Sequence, residues 1–239
     1  MRRYLVLFAR EPAREAREKG FRVREAAPLF AAFAVGWLEA ARRNDARLVV
    51  ATLREDRGAW GRIFGSESDV LWIVQQGRDF GERLERAARQ AAALGGYTVC
   101  VGGDVPPSSS GLRTAFEGLN RGLDAVLAPA PDGGVSLIGL RPDDLDLLGT
   151  IALRQRGVLD RLSGLLAGRG RSIGFIETAS DVDDRHALRL LLRRTLSLPR
   201  SLLRRALGSA RFVRREQSRT TLCGCLHGPP ILRAPPLLA

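Results

Sequence analysis

The chain has 239 residues, 45% hydrophobic and 27% charged, a balance that supports a packed core and excludes wholesale disorder. No run approaches 18 uninterrupted apolar residues, which argues against a membrane-spanning helix. The formal charge of +12 points to nucleic acid only until it is divided. Ten arginines and one acid, Glu216, lie from Arg193 onward, leaving 28 basic and 25 acidic groups in the first 192 residues. The body is near neutrality, and no specific nucleic-acid partner is expected.

Taken in chain order, the body alternates two kinds of segment. Apolar, strand-like runs occur at Tyr4–Ala9, Leu48–Thr52, Val70–Val74, Tyr97–Val101, Ala125–Ala128, Val135–Leu140 and Ser172–Ile176. Helical patterns lie between most of them, at Glu25–Arg43, Phe80–Leu94, Leu112–Arg121 and His186–Thr195. In the first, Leu29, Phe33, Trp37 and Ala40 fall on one stripe. This alternation predicts an α/β fold, a mainly parallel sheet with helices on both faces. The first strand follows Met1-Arg2-Arg3 and breaks at Arg10-Glu11-Pro12, too early for the apolar core of a signal peptide. Three cysteines do not make a disulfide framework, and a reducing, cytoplasmic location is the expectation.

One domain over residues 1–195 is expected, followed by a basic, poorly ordered tail over 196–239. Residues 200–216 have the pattern of a basic amphipathic helix, so peripheral membrane contact is an alternative to a frayed extension. Cys223, Cys225 and His227 form a C-x-C-x-H cluster without a fourth ligand, a weak zinc signal.

In parallel sheets, ligands bind outside the carboxyl ends of the strands, where strand order switches. The strand at Tyr97–Val101 runs into Gly102-Gly103-Asp104-Val105-Pro106. Two glycines permit a sharp turn and close ligand approach, and they present Asp104 at the strand end. A turn or helix-capping role is the plainer reading of Asp104. Pro129-Ala130-Pro131-Asp132-Gly133-Gly134 stands between two strands and reads equally as a hairpin or a ligand loop. Asp181-Val182-Asp183-Asp184 precedes the last helical pattern, where one carboxylate caps the helix and the pair Asp181 and Asp183 has the spacing to share a cation. The charged segment Arg10–Arg24, carrying Arg10, Arg14, Arg17 and Lys19, reads as a long loop, either solvated or clamping phosphate oxygens. There is no Walker A and no G-x-G-x-x-G sequence, and the two histidines, His186 and His227, have no nucleophile at a motif-like position.

Several segments together resemble a family. LFAREPAREAREKGF (7–21), QGRDFGERLERA (76–87), VGGDVPPSS (101–109), APAPDGGVSLIGL (128–140) and DVDDRHAL (181–188) are similar, in the same order, to motifs of the bacterial nucleotide-diphospho-sugar transferase-like proteins. These are related to the GT-A glycosyltransferase fold and to 2-phospho-lactate guanylyltransferase. The resemblance covers about residues 3–193 and implies a Rossmann-like three-layer sandwich that binds a nucleotide-activated donor with Mg²⁺ or Mn²⁺. It implies Asp104 as principal metal ligand, with Asp183, Asp181 or Asp132 completing the site. Arg10, Arg14, Arg17 and Lys19, with Gly102 and Gly103, would meet the nucleotide and its phosphates, and Gly133 and Gly134 would let the acceptor approach. The sequence departs from the pattern at Glu15, where a glycine is usual, at Val105 for serine and at Val135 for tyrosine. Metal-dependent glycosyl transfer is the leading expectation. Nucleotidyl transfer with release of pyrophosphate, or a catalytically inactive nucleotide-binding or partner-docking protein, are the alternatives. The sequence offers no convincing general base.

Overall fold

A computed structural model describes residues 1–65, 69–153 and 155–177. The last predicted helix, the Asp181–Asp184 motif and the basic tail lie outside the described residues. The strand runs are the backbone of the fold. β1 (Arg2–Phe8), β2 (Ala46–Thr52), β3 (Leu71–Val74), β4 (Gly96–Gly102), β5 (Ala125–Pro129), β6 (Val135–Leu140) and β7 (Ile173–Phe175) form one sheet. Its order is β3-β2-β1-β4-β6-β5-β7. Every pairing is parallel except those of β6, which runs against both β4 and β5.

β1 shows why the sheet sits in the middle. Its side chains alternate between two cores, as period-2 geometry requires. Leu5 and Leu7 enter one core, and Tyr4, Val6 and Phe8 enter the other. Strands covered on both faces carry nearly continuous apolar runs, which is the pattern seen in residues 4–9.

The first face is covered by α2 (Val23–Arg43), α3 (Arg57–Phe64) and α5 (Ser109–Asn120), through Trp37, Leu38, Trp60, Phe64, Leu112 and Phe116. The second is covered by α4 (Phe80–Ala92), α6 (Leu147–Thr150) and α7 (Val158–Gly168), through Leu84, Ala88, Leu148, Leu162 and Leu166. Helices on both faces make the three-layer sandwich. α4 is capped by Asp79, whose side chain accepts from the Glu82 amide, and α5 by Ser108, which accepts from the Gly111 amide. Ser108 thus takes the capping role considered for Asp104.

The structure corrects the sequence reading in the segment after β1. Residues 12–18 form α1 (Pro12–Glu18) within what was expected to be a loop. Proline at the first helical position loses no bonded N–H. Ala16 buries against a cluster with Phe21, Leu29, Phe30 and Phe33, and this tertiary contact stabilises a seven-residue helix too short to persist alone. α3 and α7 also escaped the reading, because glycines dilute their apolar stripes: Gly58 and Gly61 in α3, Gly164 and Gly168 in α7.

Phe116 is fully buried in the first core, with the Arg3 guanidinium 5.6 Å from its ring centroid. Phe116→Ala is expected to lower unfolding stability by about 3–5 kcal/mol, read as a shift in urea midpoint with unchanged slope.

Candidate functional site

β1 and β4 lie side by side and parallel, with Phe8 opposite Gly102. After β1 the chain builds outward through β2 and β3; after β4 it builds toward the opposite edge. Their carboxyl ends therefore part, and a cleft of about 430 Å³ opens there. Its lining includes Phe8, Ala9 and Arg10 from the β1 end and Gly102, Gly103, Asp104 and Val105 from the β4 end. The position is the one that open α/β sheets provide for ligands.

The two glycines have separate steric reasons. A Cβ on Gly103 would stand 2.5 Å from the Cβ of Ala9, and one on Gly102 would stand 2.5 Å from Asp104 Oδ1. The first lets the β4 exit press against the β1 end; the second leaves room for the carboxylate. Val105 is buried, and its carbonyl accepts from Trp37 Nε1 at 2.9 Å. The turn is thus tied to α2, and Asp104 is held at the cleft with its side chain about one-fifth exposed.

Lys19 Nζ lies 2.5 Å from Asp104 Oδ2. Arg10 lies 2.7 Å from Glu18 Oε2 and 3.5 Å from Glu15 Oε2. All five side chains line the cleft. Burial, and then the neighbouring Asp104 carboxylate, push the Glu15 carboxyl above its ordinary value.

Arg14 and Arg17 are not among the cleft-lining residues. Arg14 reaches the buried Asp56, 3.1 Å away, and Glu55. The same Asp56 carboxylate accepts from the Glu11 amide at 3.0 Å, so it anchors the start of α1 and draws Arg14 off the site. Arg17 is exposed and pairs with Glu11. A helix, rather than the expected loop, separates these side chains. Residues 10, 15, 18 and 19 face the cleft, and 14 and 17 face away.

Asp132 and Gly134 line the far rim, on the hairpin between β5 and β6. Asp132 Oδ1 accepts from the Gly134 amide at 2.8 Å. Gly133, at φ +82°, makes the turn and is not among the lining residues. The segment is therefore both a hairpin and a cleft wall. It is braced by the Leu159 amide, which donates to the Gly133 carbonyl.

Sequence reasoning missed the side chains between these rims. Gln75 follows β3, and its Nε2 donates to the Ala51 carbonyl at 2.9 Å. Phe80 stacks edge-on against Phe8, with centroids 5.2 Å apart. Arg83, Gln155 and Arg156 also line the space. The signal for Phe80 and Arg83 was position, since the first turn of a helix that follows a parallel strand lies at the carboxyl edge of the sheet.

The described residues do not by themselves make a divalent-metal site. Among them, no group of three or more His, Cys, Asp and Glu side chains is arranged to hold a metal ion, and Asp104 is paired with Lys19. Asp181 and Asp183 lie outside the described residues.

The fold has solved relatives. A candidate nucleotide-diphospho-sugar transferase from Desulfovibrio desulfuricans G20 superposes with a TM-score of 0.71 at 23% identity, covering 86% of this chain and 99% of that one. The chain has the nucleotide-diphospho-sugar transferase fold. A candidate glucose-1-phosphate thymidylyltransferase from Bacillus anthracis shares this transferase fold with a TM-score of 0.58 at 12% identity, covering 83% of this chain and 97% of that one. The inositol-1-phosphate CTP transferase of T. maritima gives 0.55 at 9% identity, covering 88% and 98%. Residues 37–154 match the family described as "Uncharacterized protein conserved in bacteria (DUF2064)". No curated protein sequence matches the chain. No helix among the described residues is long and apolar enough to cross a membrane.

A raised carboxyl pKa means that folding favours the protonated form, so Glu15 supports the fold below its unfolded value near 4.5 and that support is lost as pH rises through the folded value. Glu15→Gln is therefore expected to melt roughly 1–3 °C above wild type at pH 7.5. The difference should shrink toward pH 4; a gap that widens on acidification would contradict the placement of Glu15.

Proposed function

We propose that the protein is a transferase acting on a nucleotide-activated donor bound in the cleft between the β1 and β4 ends. The observation that carries this reading is the convergence of Asp104, Lys19, Arg10, Asp132 and Gly134 on one cleft at the strand-order switch. Glycines supply a surface that a diphosphate can approach closely, and two cations stand beside it.

In this reading the donor's phosphates lie along the wall formed by α1 and the β4 turn. Their negative charge competes with Asp104 for Lys19 and with Glu18 for Arg10. Both cations then turn from protein carboxylates to phosphate oxygens, where charge accumulates on the leaving group. Asp104 keeps Lys19 in place before the donor arrives. The hairpin carrying Asp132 and Gly134 offers the rim from which an acceptor enters.

Mg²⁺ or Mn²⁺ belongs to the proposal through Asp104 together with Asp181 and Asp183. Such an ion would supply positive charge to offset that of the phosphates. Transfer of the glycosyl group, leaving a nucleoside diphosphate, is the form we favour. The names of the B. anthracis and T. maritima relatives favour nucleotidyl transfer as the second reading, and it leaves pyrophosphate. A cytoplasmic setting and peripheral membrane contact through the basic residues of 196–239 complete the reading.

The experiment is a thermal-shift panel of nucleoside diphosphates and nucleotide sugars, with and without Mn²⁺, followed by identification of the released product. At least one nucleotide should raise the melting temperature, more with Mn²⁺ than without. Asp104→Asn should remove the Mn²⁺-dependent part, lowering affinity about tenfold or more in calorimetry. Unchanged affinity in that variant would overturn the assignment of Asp104, and a panel without any stabilising nucleotide would overturn the donor reading.

A further inference from the structure

The charges in the cleft are unevenly compensated. On the α1 side, Arg10 is met by Glu15 and Glu18, and Lys19 by Asp104. On the opposite side stand Arg83, in the first turn of α4, and Arg156, in the connection between α6 and α7. Among the described residues neither guanidinium has a carboxylate within ion-pairing distance. Arg83 Nε donates instead to the Asp79 backbone carbonyl at 2.9 Å, which directs the guanidinium by a neutral contact. Other arginines on the same helix differ: Arg86 pairs with Glu82, and Arg89 with Glu85.

The location of Arg83 adds to its cost. A cation in the first turn opposes the positive end of the helix dipole by about 0.3–1 kcal/mol. An anion in the cleft would offset both unfavourable terms. The acid on this side, Asp132, is engaged in its own turn through the Gly134 amide. The Arg156 connection adjoins that hairpin, since a Cβ on Gly133 would stand 3.7 Å from the Gly157 nitrogen.

We propose that Arg83 and Arg156 form an oxyanion-binding subsite that holds a phosphate group of the acceptor, across the cleft from the wall assigned to the donor. Arginine suits the task because its planar fork binds phosphate oxygens in pairs. The inference deepens the transferase reading and rests on it for the word acceptor; the binding of the anion itself does not depend on it.

Calorimetric titration with inorganic phosphate tests the subsite. Wild type should bind phosphate, and Arg83→Gln/Arg156→Gln should bind it about tenfold or more weakly. Arg86→Gln, which removes a like charge from the same helix outside the cleft, should match wild type within about twofold. Arg156→Gln alone, on an exposed side chain, should shift in the same direction and serves if the double variant folds poorly. No phosphate binding by wild type, or equal weakening in Arg86→Gln, overturns the subsite. A second titration adds the nucleoside diphosphate that stabilises the protein most. Phosphate affinity should persist under its saturation; displacement would give the arginines to the donor and overturn the acceptor assignment. If no nucleotide stabilises the protein while phosphate binding still depends on the two arginines, the donor reading fails and the oxyanion site stands.

Discussion

The close approach of the β1 and β4 ends governs the site. Without a side chain on Gly103 the β4 exit rests against Ala9, and without one on Gly102 the Asp104 carboxylate has space beside the turn. The strands then part because their connections leave toward opposite edges of the sheet. A cleft forms by topology, and the glycines keep side chains out of the turn at its β4 end. Trp37 fixes the same turn from beneath through the Val105 carbonyl. The geometry of Asp104 is thus set by the hydrophobic core as much as by its own loop.

Electrostatics divides the cleft. On one wall each cation already has a carboxylate, so a ligand gains there by exchange and only to the extent that its oxygens outcompete Glu18 or Asp104. On the other wall Arg83 is half-buried and Arg156 exposed, and among the described residues neither has a carboxylate partner. The near-neutral body inferred from composition is consistent with this arrangement: the balance of charge is local, wall by wall, and a net count conceals it.

The strands were legible because two-sided burial imposes continuous apolar runs, and all seven emerged within two residues of their observed bounds. The cleft position of Asp104, Gly102 and Gly103 was legible for a related reason, since they follow directly from the carboxyl end of a buried parallel strand. The first segment was not. Arg14 and Arg17 look equivalent to Arg10 and Lys19 in sequence, and a seven-residue helix separates them. That helix depends on tertiary contacts of Ala16 and on Asp56, forty residues away in the chain. Arg83 and Arg156 were hidden for the opposite reason. Their significance lies in the absence of a carboxylate partner among the described residues, which only three-dimensional pairing reveals.

The buried Asp56 has a consequence for motion. It joins the amide of Glu11 and the guanidinium of Arg14 to the segment between β2 and α3, so α1 cannot swing outward without stranding a carboxylate in the interior, at a penalty of a few kcal/mol. This wall of the cleft is tied to the scaffold, and its outward movement carries that penalty. Ligand entry must therefore be accommodated by side-chain rearrangement or by the opposite rim, and amide protons in α1 should exchange with solvent as slowly as those of the helix it packs against.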